Sequence, residues 1–466
     1  MSLNKKNSNF IIHFIGIGGI GMSGIAELML DQGYIIQGSD LVFNTTIKRL
    51  KDRGVKIYQG HKKSNINNIS AAVFSSAIGQ SNPEIQKCKE LSIPLVSRAE
   101  MLAELMRNKN AIAIAGSHGK TTTTSLLASI MTEAMLDPTF INGGIINSFA
   151  TNAKLGSGNY LIAEADESDR SFLMLQPSLA IITNIDSDHL INYGNDIKNL
   201  ELAFIEFVKK LPFNGLAIVC GDDLILKNLV PSFSRKVITY GFEDQNDYVI
   251  QDYIAKELTS EFSIKTREEN IFKIKLNLTG RHNALNALSA SILALEEGIS
   301  VINIQSALEK FSGIARRMQY LGEINQNGKK ALVIDDYGHH PTEIEKTIEA
   351  IRESYPEKKI SMIFQPHRFS RTKYLLKEFI NVFQLPDELL LLPIYSAGEK
   401  EIEGVTAEKL IKGIEVKTSK KVGLARSEPE IFNFLEGVLA KGNRVLLMQG
   451  AGDISNISKK VIERFK

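Results

Sequence analysis

Cysteine is scarce in this chain, which has only Cys88 and Cys220 among its 466 residues. The two lie far apart, and neither belongs to a Cys-x-x-Cys pair. This pattern argues against a disulfide framework and against a zinc site built from cysteine pairs, and it fits a reducing compartment. We therefore expect a cytoplasmic protein.

Net charge and long apolar runs are lacking as well. Lys and Arg number 55 and Asp and Glu 53, which gives a formal charge of +2. So small an excess does not predict a nucleic-acid or anionic-membrane partner. The apolar run at residues 10–17 is broken by glycine and follows a polar N-terminus, so it is neither a signal peptide nor a membrane span.

The length and the alternation of segments predict several α/β domains. A chain of 466 residues is too long for one hydrophobic core and indicates two to four domains. Short apolar strands alternate with amphipathic helices through most of it. Residues 247–278 differ, because apolar side chains there alternate with Lys and Asn, as in a half-exposed antiparallel strand. We expect a small β-hairpin region at this place.

The first glycine loop occupies residues 16–21 and follows the G-x-G-x-x-G pattern. A predicted strand at residues 10–15 precedes it and a helix at 22–30 follows. Such a loop brings backbone N–H groups and a helix N-terminus to a phosphate, and Asp40, at the end of the second strand, suits a ribose. Alone, the pattern leaves an NAD-dependent oxidoreductase open. His61, farther along this domain, is predicted to be a surface histidine.

The second glycine loop reads Gly-Ser-His-Gly-Lys-Thr-Thr at residues 116–122, between a predicted strand at 111–115 and a helix at 122–131. Its backbone N–H groups are suited to bind phosphate oxygens. Lys120 is suited to bind the β- and γ-phosphates, and the Thr121 hydroxyl is suited to ligate Mg²⁺. The general pattern has a glycine where this chain has Ile114, so the loop is shortened. The loop predicts ATP binding, and it leaves a nucleotide switch or scaffold open.

Two acidic runs, at residues 164–169 and 184–189, each follow a predicted strand. In a parallel sheet both lie at the carboxyl edge that also carries the Lys120 loop. Like charges in such density favour a bound cation. We therefore predict that Glu164 and Thr121 ligate Mg²⁺, and that His189 is a ligand of a second ion.

Later segments carry further candidates. Asn283 and Asn286 lie three apart on one helical face. An amide can pair with adenine, but the residues alone favour an N-cap and surface polar positions. Arg316 and Arg317 follow a glycine and suit a phosphate or a hinge. Beyond residue 322, strands and helices alternate again, with polar residues gathered at the strand exits.

Seven ordered blocks resemble the Mur ligase superfamily. They are residues 13–22, 116–122, 164–169, 183–189, 280–286, 335–341 and 365–371. The shortened Gly-x-x-Gly-Lys-Thr loop is typical of this family. The resemblance implies an α/β protein of three domains. They are a Rossmann-like N-terminal domain (1–108), a P-loop-type central ATPase domain with a small β-hairpin region (109–321), and a Rossmann-like C-terminal domain (322–466).

The resemblance also implies an activity. The Gly-Ile-Gly-Gly-Ile-Gly-Met and Asp-Asp-Tyr-Gly-His-His-Pro blocks are similar to those of the member that joins L-alanine to UDP-N-acetylmuramate in peptidoglycan synthesis. ATP would activate the carboxylate as an acyl phosphate, with two Mg²⁺ ions. A sibling that joins a preformed peptide in wall recycling remains open. A monomer or weak homodimer is expected, with no nucleic-acid or membrane partner.

Site residues follow from the matching blocks. The implied UDP-substrate-binding residues are Gly18, Gly19, Ile20, Gly21, Ser39, Asp40, Ser75 and Ser76. The implied ATP-binding residues are Gly116, Ser117, His118, Gly119, Lys120, Thr121, Thr122, His282, Asn283, Asn286, Arg317 and Asp336. The implied amino-acid-binding residues are Tyr337, His339, Arg368 and Arg371. The implied catalytic residues are Lys120, Glu164, His189 and Arg371, and the implied Mg²⁺ ligands are Thr121, Glu164 and His189.

The resemblance bears on lysine carbamylation too. In several sibling ligases a lysine after the metal-binding histidine is carbamylated and ligates the second Mg²⁺. Counted fifteen residues on from His189, the comparable position holds Phe204. Because a phenyl ring cannot ligate a hard cation, we expect an enzyme that works without a carbamylated lysine.

Overall fold

The computed structural model describes residues 10–75, 77–187, 190–418 and 420–465. The predictions for Ser76 and His189 therefore lie outside the described residues. The described chain forms two compact units. Unit 1 contains the residues up to Gln251 together with Ile264–Phe272 and Leu285–Lys310, and unit 2 contains Asp252–Ser263, Lys273–Ala284 and the chain from Phe311 onward.

The first sheet of unit 1 is built from short apolar runs. Its strands are β1 (Ile11–Ile15), β2 (Ile35–Asp40), β3 (Lys56–Gln59), β4 (Ala71–Phe74) and β5 (Leu95–Ser97). Its helices are α1 (Ile20–Asp31), α2 (Thr45–Asp52), α3 (Pro83–Glu90) and α4 (Arg98–Met106). In the described residues the strands lie in the order β3-β2-β1-β4-β5, and every neighbouring pair is parallel. This is the order of a Rossmann-like half, with the first glycine loop at the end of central β1.

The second sheet carries the Lys120 loop. Its strands are β6 (Asn110–Ala115), β7 (Thr139–Ile146), β8 (Thr151–Lys154), β9 (Tyr160–Glu164), β10 (Leu179–Ile182), β11 (Leu216–Cys220), β12 (Lys236–Gly241), β13 (Tyr248–Lys256), β14 (Thr259–Lys265) and β15 (Ile271–Leu276). The associated helices are α5 (Lys120–Glu133), α6 (Ile197–Lys209), α7 (Leu224–Leu229), α8 (Arg281–Glu296) and α9 (Val301–Glu309). In the described chain the order is β15-β14-β13-β12-β11-β10-β6-β9-β7-β8. Strand β6 is parallel to both neighbours, β9 and β10, so the exits of all three strands share one edge.

Strands β13, β14 and β15 confirm the predicted β-hairpin region, and their residues are divided between the two units. Short 3₁₀ helices complete the described secondary structure of unit 1. They are Lys63–Asn65, Ser171–Met174, Leu190–Tyr193 and Val230–Ser232.

Helix α1 is fastened to strand β8 within unit 1. The Asn152 side chain donates to the Ile20 carbonyl (3.1 Å) and accepts from Arg49 (2.9 Å). Asn152 is 2% exposed. A Cβ on Gly24 would lie 3.2 Å from the Ala153 Cβ, so the helix and the strand are in close contact. The first glycine loop is thereby tied to the sheet that carries the second.

Unit 2 contains the third sheet. Its strands are β16 (Gln319–Gln326), β17 (Lys329–Asp336), β18 (Lys359–Phe364), β19 (Glu388–Leu391), β20 (Gly423–Leu424) and β21 (Arg444–Gln449). Its helices are α10 (Pro341–Ser354), α11 (Phe369–Tyr374), α12 (Leu376–Val382), α13 (Ala407–Thr418), α14 (Glu428–Lys441) and α15 (Ile454–Phe465). The described strands run β16-β17-β21-β18-β19-β20, antiparallel only between β16 and β17. Apolar clusters cover both faces of this sheet.

Three α/β sheets along the chain confirm the predicted fold class, while the exact domain boundaries stay predictions. Asn110, which lies just past the first predicted domain boundary, begins strand β6. Cys88 and Cys220 are both buried and free. Within the described ranges, no helix has the length and apolar character needed to span a bilayer.

Candidate active site

The Lys120 loop depends on glycine at both ends. Gly116 has a φ of +127° and Gly119 a φ of +85°, values that side chains larger than hydrogen rarely tolerate. A Cβ on Gly116 would lie 2.1 Å from the Thr183 hydroxyl. The loop therefore packs directly against the exit of strand β10.

That exit also bonds the loop. The Ser117 N–H donates to the Asn184 carbonyl (3.0 Å), and the His118 N–H donates to the Asn184 side-chain oxygen (2.9 Å). The His118 Nε2 lies 3.0 Å from a carboxylate oxygen of Asp186. The acidic run predicted to share an edge with the loop therefore does so, and it holds the loop in shape.

Lys120 points into the acidic run at residues 164–169. Its Nζ lies 2.7 Å from a Glu167 carboxylate oxygen and also donates to the Gly116 and Ser117 carbonyls. Burial disfavours the charged amine, but the carboxylates of Glu167, Asp166 and Glu164 outweigh burial and raise the pKa of Lys120. These carboxylates therefore favour the charged form of the Lys120 amine. Sequence reasoning singled out the acidic run and missed Glu167 as the partner of Lys120.

The predicted Mg²⁺ ligands Thr121 and Glu164 meet at Gly143. The Gly143 N–H donates to Glu164 Oε1 (2.5 Å). A Cβ on Gly143 would lie 2.8 and 2.9 Å from the Glu164 carboxylate oxygens and 3.1 Å from the Thr121 hydroxyl. Glycine therefore leaves room where two oxygen ligands converge, and Mg²⁺ prefers oxygen ligands. The residues present fit a Mg²⁺ ion.

Helix α8 brings Asn286 to the same loop. A Cβ on Gly119 would lie 2.6 Å from the Asn286 side-chain oxygen. Asn283 and Asn286 are 5% and 6% exposed, and the helix begins at Arg281. The interpretation of these asparagines as an N-cap and a surface residue was therefore wrong. Burial lowers the pKa of His282 to about 4, so its imidazole is neutral at pH 7.

The first glycine loop is fixed by the end of strand β2. The Gly16 and Ile17 N–H groups donate to the Ser39 carbonyl (2.9 and 3.1 Å), and the Gly18 N–H donates to Asp40 Oδ2 (2.8 Å). A Cβ on Gly16 would lie 3.8 Å from the Ser75 Cβ. The structure therefore brings Ser39, Asp40 and Ser75 to the loop, although their contacts with a nucleotide stay predictions.

The Ser39 side chain belongs to a buried polar network beneath this loop. Its hydroxyl donates to Glu84 Oε2 (2.6 Å), and the Asn65 amide donates to Glu84 Oε1 (2.6 Å). His61 lies 3.1 Å from the same carboxylate with its side chain 9% exposed, so the prediction of a surface histidine was wrong. Burial opposes the Glu84 carboxylate, but His13, whose Nε2 lies 3.5 Å from Glu84 Oε2, and hydrogen bonds from Ser39 and Asn65 lower the pKa of Glu84 to about 2.

Unit 2 gathers aromatic rings at three strand exits. The ring centroids of Tyr337 and His339 lie 5.5 Å apart, those of His339 and His367 5.8 Å, and those of His367 and Tyr395 5.6 Å. Arg371 Nη1 lies 3.4 Å from His367 Nδ1. The structure therefore brings predicted Tyr337, His339 and Arg371 together. His367 and Tyr395 were missed, although both follow predicted strands.

Positive charge surrounds these rings. The guanidinium groups of Arg316 and Arg317 lie 4.9 and 5.2 Å from the Tyr337 ring centroid. Burial, assisted by Arg371, lowers the pKa of His339 to about 3 and that of His367 to about 4. Arginine beside neutral imidazoles suits a carboxylate, because the planar guanidinium can bind it bidentately.

The predicted site residues Arg368 and Asp336 have backbone roles nearby. The Arg368 N–H donates to the Tyr395 carbonyl (2.8 Å). Asp336 is 5% exposed, and its carboxylate accepts from the Met318 N–H (2.9 Å) and the Gly338 N–H (2.8 Å). Asp336 thereby fixes the loop that follows β17, and its predicted contact with ATP stays a prediction.

Phe204 lies inside the core of unit 1. It is fully buried on helix α6, and its ring meets Phe172 edge-to-face at a centroid distance of 5.2 Å. The structure thus gives Phe204 a packing role.

Three family models match the chain in order. The Mur ligase family catalytic-domain model matches residues 11–110, and the Mur ligase middle-domain model matches residues 114–294. The model described as Mur ligase, glutamate ligase domain matches residues 316–452. Together they extend over nearly the whole described chain.

Solved structures agree with these matches. UDP-N-acetylmuramate-alanine ligase from Thermotoga maritima is 29% identical with a TM-score of 0.82, covering 97% of this chain and 98% of its own. Murein peptide ligase from Psychrobacter arcticus is 23% identical with a TM-score of 0.73, covering 98% of each chain. MurF ligase from Thermotoga maritima in complex with ADP is 18% identical with a TM-score of 0.61, covering 92% and 94%. The last two comparisons bear on the fold alone.

Proposed function

Because this chain belongs to the Mur ligase superfamily, we propose that it is an ATP-dependent ligase joining L-alanine to the carboxylate of UDP-N-acetylmuramate. The observation that carries the proposal is the convergence of Thr121 and Glu164 at Gly143, next to the charged Lys120. Similarity to the alanine ligase of Thermotoga maritima over 97% of the chain supports the choice of substrates. We further propose a role in peptidoglycan synthesis in the cytoplasm.

The reaction needs carboxylate activation. A carboxylate oxygen takes the γ-phosphoryl group of ATP, and the bond between that phosphorus and the ADP oxygen breaks. The alanine nitrogen then forms a bond to the carbonyl carbon, and the bond from that carbon to the phosphate oxygen breaks. Two of the three ammonium protons pass to solvent and phosphate, and the third stays as the amide N–H. Phosphoryl transfer of this kind depends mainly on positioning and on neutralising charge.

The residues of unit 1 supply both requirements in this proposal. The positively charged amine of Lys120 would contact the transferred phosphoryl group and neutralise part of its negative charge. Glu167 orients this amine. Thr121 and Glu164 would hold Mg²⁺, which when bound neutralises phosphate charge. Asn286 borders the phosphate loop at Gly119 and would contact the nucleotide.

Amino-acid recognition falls to unit 2 in this proposal. Arg371 and Arg368 would bind the alanine carboxylate, because a guanidinium group matches it in charge and geometry. Tyr337 and His339 would shape the space around the small side chain. His367 orients Arg371 through the contact of 3.4 Å between their nitrogens.

The test is phosphate release by the purified protein with ATP, Mg²⁺ and UDP-N-acetylmuramate. We expect release that depends on L-alanine, with the alanyl product identified by mass. Omitting UDP-N-acetylmuramate should abolish it. The absence of any alanine-dependent product would refute the proposed substrate.

A second candidate, a ligase for a preformed peptide, is supported by the shared fold of murein peptide ligase. The same assay with L-alanyl-γ-D-glutamyl-meso-diaminopimelate distinguishes it. Release with this tripeptide and none with alanine would replace the first proposal. An NAD-dependent oxidoreductase is not proposed, because it leaves the Lys120 loop without a role.

A further inference from the structure

Arg98 occupies a fixed position at the start of helix α4. Ser97 caps this helix, and the side chains of Ser97 and Glu100 bond reciprocally to each other's backbone N–H groups. Such a capping box holds the first helical turn in place. The capping box therefore fixes the backbone from which the Arg98 side chain extends. This side chain is 22% exposed, so a ligand can reach it.

One side of the guanidinium lies against the first glycine loop. A Cβ on Gly21 would lie 3.1 Å from Arg98 Nη1 and 3.4 Å from Arg98 Cδ. Gly21 ends the glycine pattern and belongs to the first turn of α1. The missing side chain at this position allows the positive charge to approach the N-terminus of the helix.

The other side faces the acidic run beside Lys120. Arg98 Nη2 lies 3.4 Å from Asp166 Oδ2, which is long for a charge-assisted hydrogen bond. Asp166 in turn acts electrostatically on Lys120. A single guanidinium therefore touches both the loop assigned to the sugar nucleotide and the run assigned to phosphoryl transfer.

We propose that Arg98 binds an anionic oxygen of the sugar nucleotide on its path from the first glycine loop to Lys120. This inference rests on the proposed function. The substrate carries a diphosphate and, beyond its sugar, a carboxylate, and the carboxylate must reach Lys120 while the diphosphate stays at the first loop. Arg98 lies on this path, and its planar fork suits either anion.

The experiment measures binding by calorimetry without alanine. Arg98→Ala should lower the affinity for UDP-N-acetylmuramate by about tenfold or more, as expected for losing a hydrogen bond to a charged group. It should leave the affinity for ATP unchanged. Parallel titrations use UDP-N-acetylglucosamine, which has the diphosphate and no carboxylate. Loss with both ligands assigns Arg98 to the diphosphate, and loss with UDP-N-acetylmuramate alone assigns it to the carboxylate.

Arg107→Ala is the matched control, because Arg107 caps the other end of α4 with its side chain 68% exposed and paired to Glu104. This control should bind both ligands normally. Arg98→Lys keeps the positive charge but lacks the planar guanidinium group. This variant should bind UDP-N-acetylmuramate with intermediate affinity, which would also show that the substituted protein is folded.

Three results would overturn the inference. They are unchanged UDP-N-acetylmuramate affinity in Arg98→Ala, an equal loss in Arg107→Ala, and an equal loss of ATP affinity in Arg98→Ala. A different result, failure of the unaltered protein to bind UDP-N-acetylmuramate, would refute the proposed function itself.

Discussion

The buried carboxylate of Glu84 stabilises the part of unit 1 that holds the first sheet, and the effect of removing its charge should be measurable. Glu84 is fully buried and accepts hydrogen bonds from Ser39 and Asn65. The substitution Glu84→Gln keeps the shape and removes the charge. Since the Ser39 carbonyl holds the first glycine loop, loosening this network should loosen the loop as well.

The magnitude follows from the pKa of Glu84, which is lowered from an ordinary value of 4.5 to about 2. At about 1.4 kcal/mol per pKa unit, the lowered pKa contributes about 3 kcal/mol to the free energy of unfolding at pH 7. Because folding lowers the pKa of Glu84, the ionised carboxylate stabilises the folded protein. The contribution is fully present above pH 4.5 and is lost as the pH falls toward 2. Glu84→Gln should therefore be destabilising at neutral pH, and the difference should shrink by more than half at pH 3.

Hydrogen exchange read by mass spectrometry is the assay, because it isolates peptides from β1, β2 and α3. A loss of 3 kcal/mol should speed exchange in these peptides by on the order of 100-fold at pH 7. Glu90→Gln is the control, since Glu90 lies on the same helix and its side chain is 46% exposed. Equal exchange in the two variants, or a difference that grows toward pH 3, would refute the reasoning.

Further predictions concern the proposed reaction. Lys120→Met should abolish turnover and leave calorimetric binding of UDP-N-acetylmuramate intact, and loss of that binding would contradict the assignment of the two loops to different ligands. Arg371→Lys should raise the KM for alanine far more than the KM for ATP, because the fork becomes a point charge; equal effects would exclude a carboxylate contact. Gly143→Ala should raise the Mg²⁺ concentration for half-maximal turnover about tenfold or more, as expected if a methyl group displaces an ion ligand, and an unchanged Mg²⁺ titration would exclude the site. Turnover should persist in buffer stripped of carbon dioxide, and a collapse that bicarbonate reverses would show a carbamylated lysine despite Phe204.

The glycine loops could be predicted from sequence because each is a local pattern between a strand and a helix. The meeting of Thr121 and Glu164 was predictable as well, since parallel strands place their exits at one edge. The buried network was not predictable, because Ser39 and Glu84 lie 45 residues apart and neither belongs to a recognisable motif. Burial of Asn286 was missed because polarity alone indicates a surface position, and only the packing of α8 against Gly119 reverses that expectation.

The hydrogen bonds of Asn152 bear on how long the proposed substrate must be. By joining the Ile20 carbonyl at the start of α1 to strand β8, this side chain keeps the two glycine loops at a constant spacing within one compact unit. In the proposed reaction, a sugar nucleotide whose phosphates bind at the first loop would have to span the distance from that loop to Lys120 with its carboxylate. On this proposal we expect that an analogue with a shorter span between phosphate and carboxylate will bind without being phosphorylated.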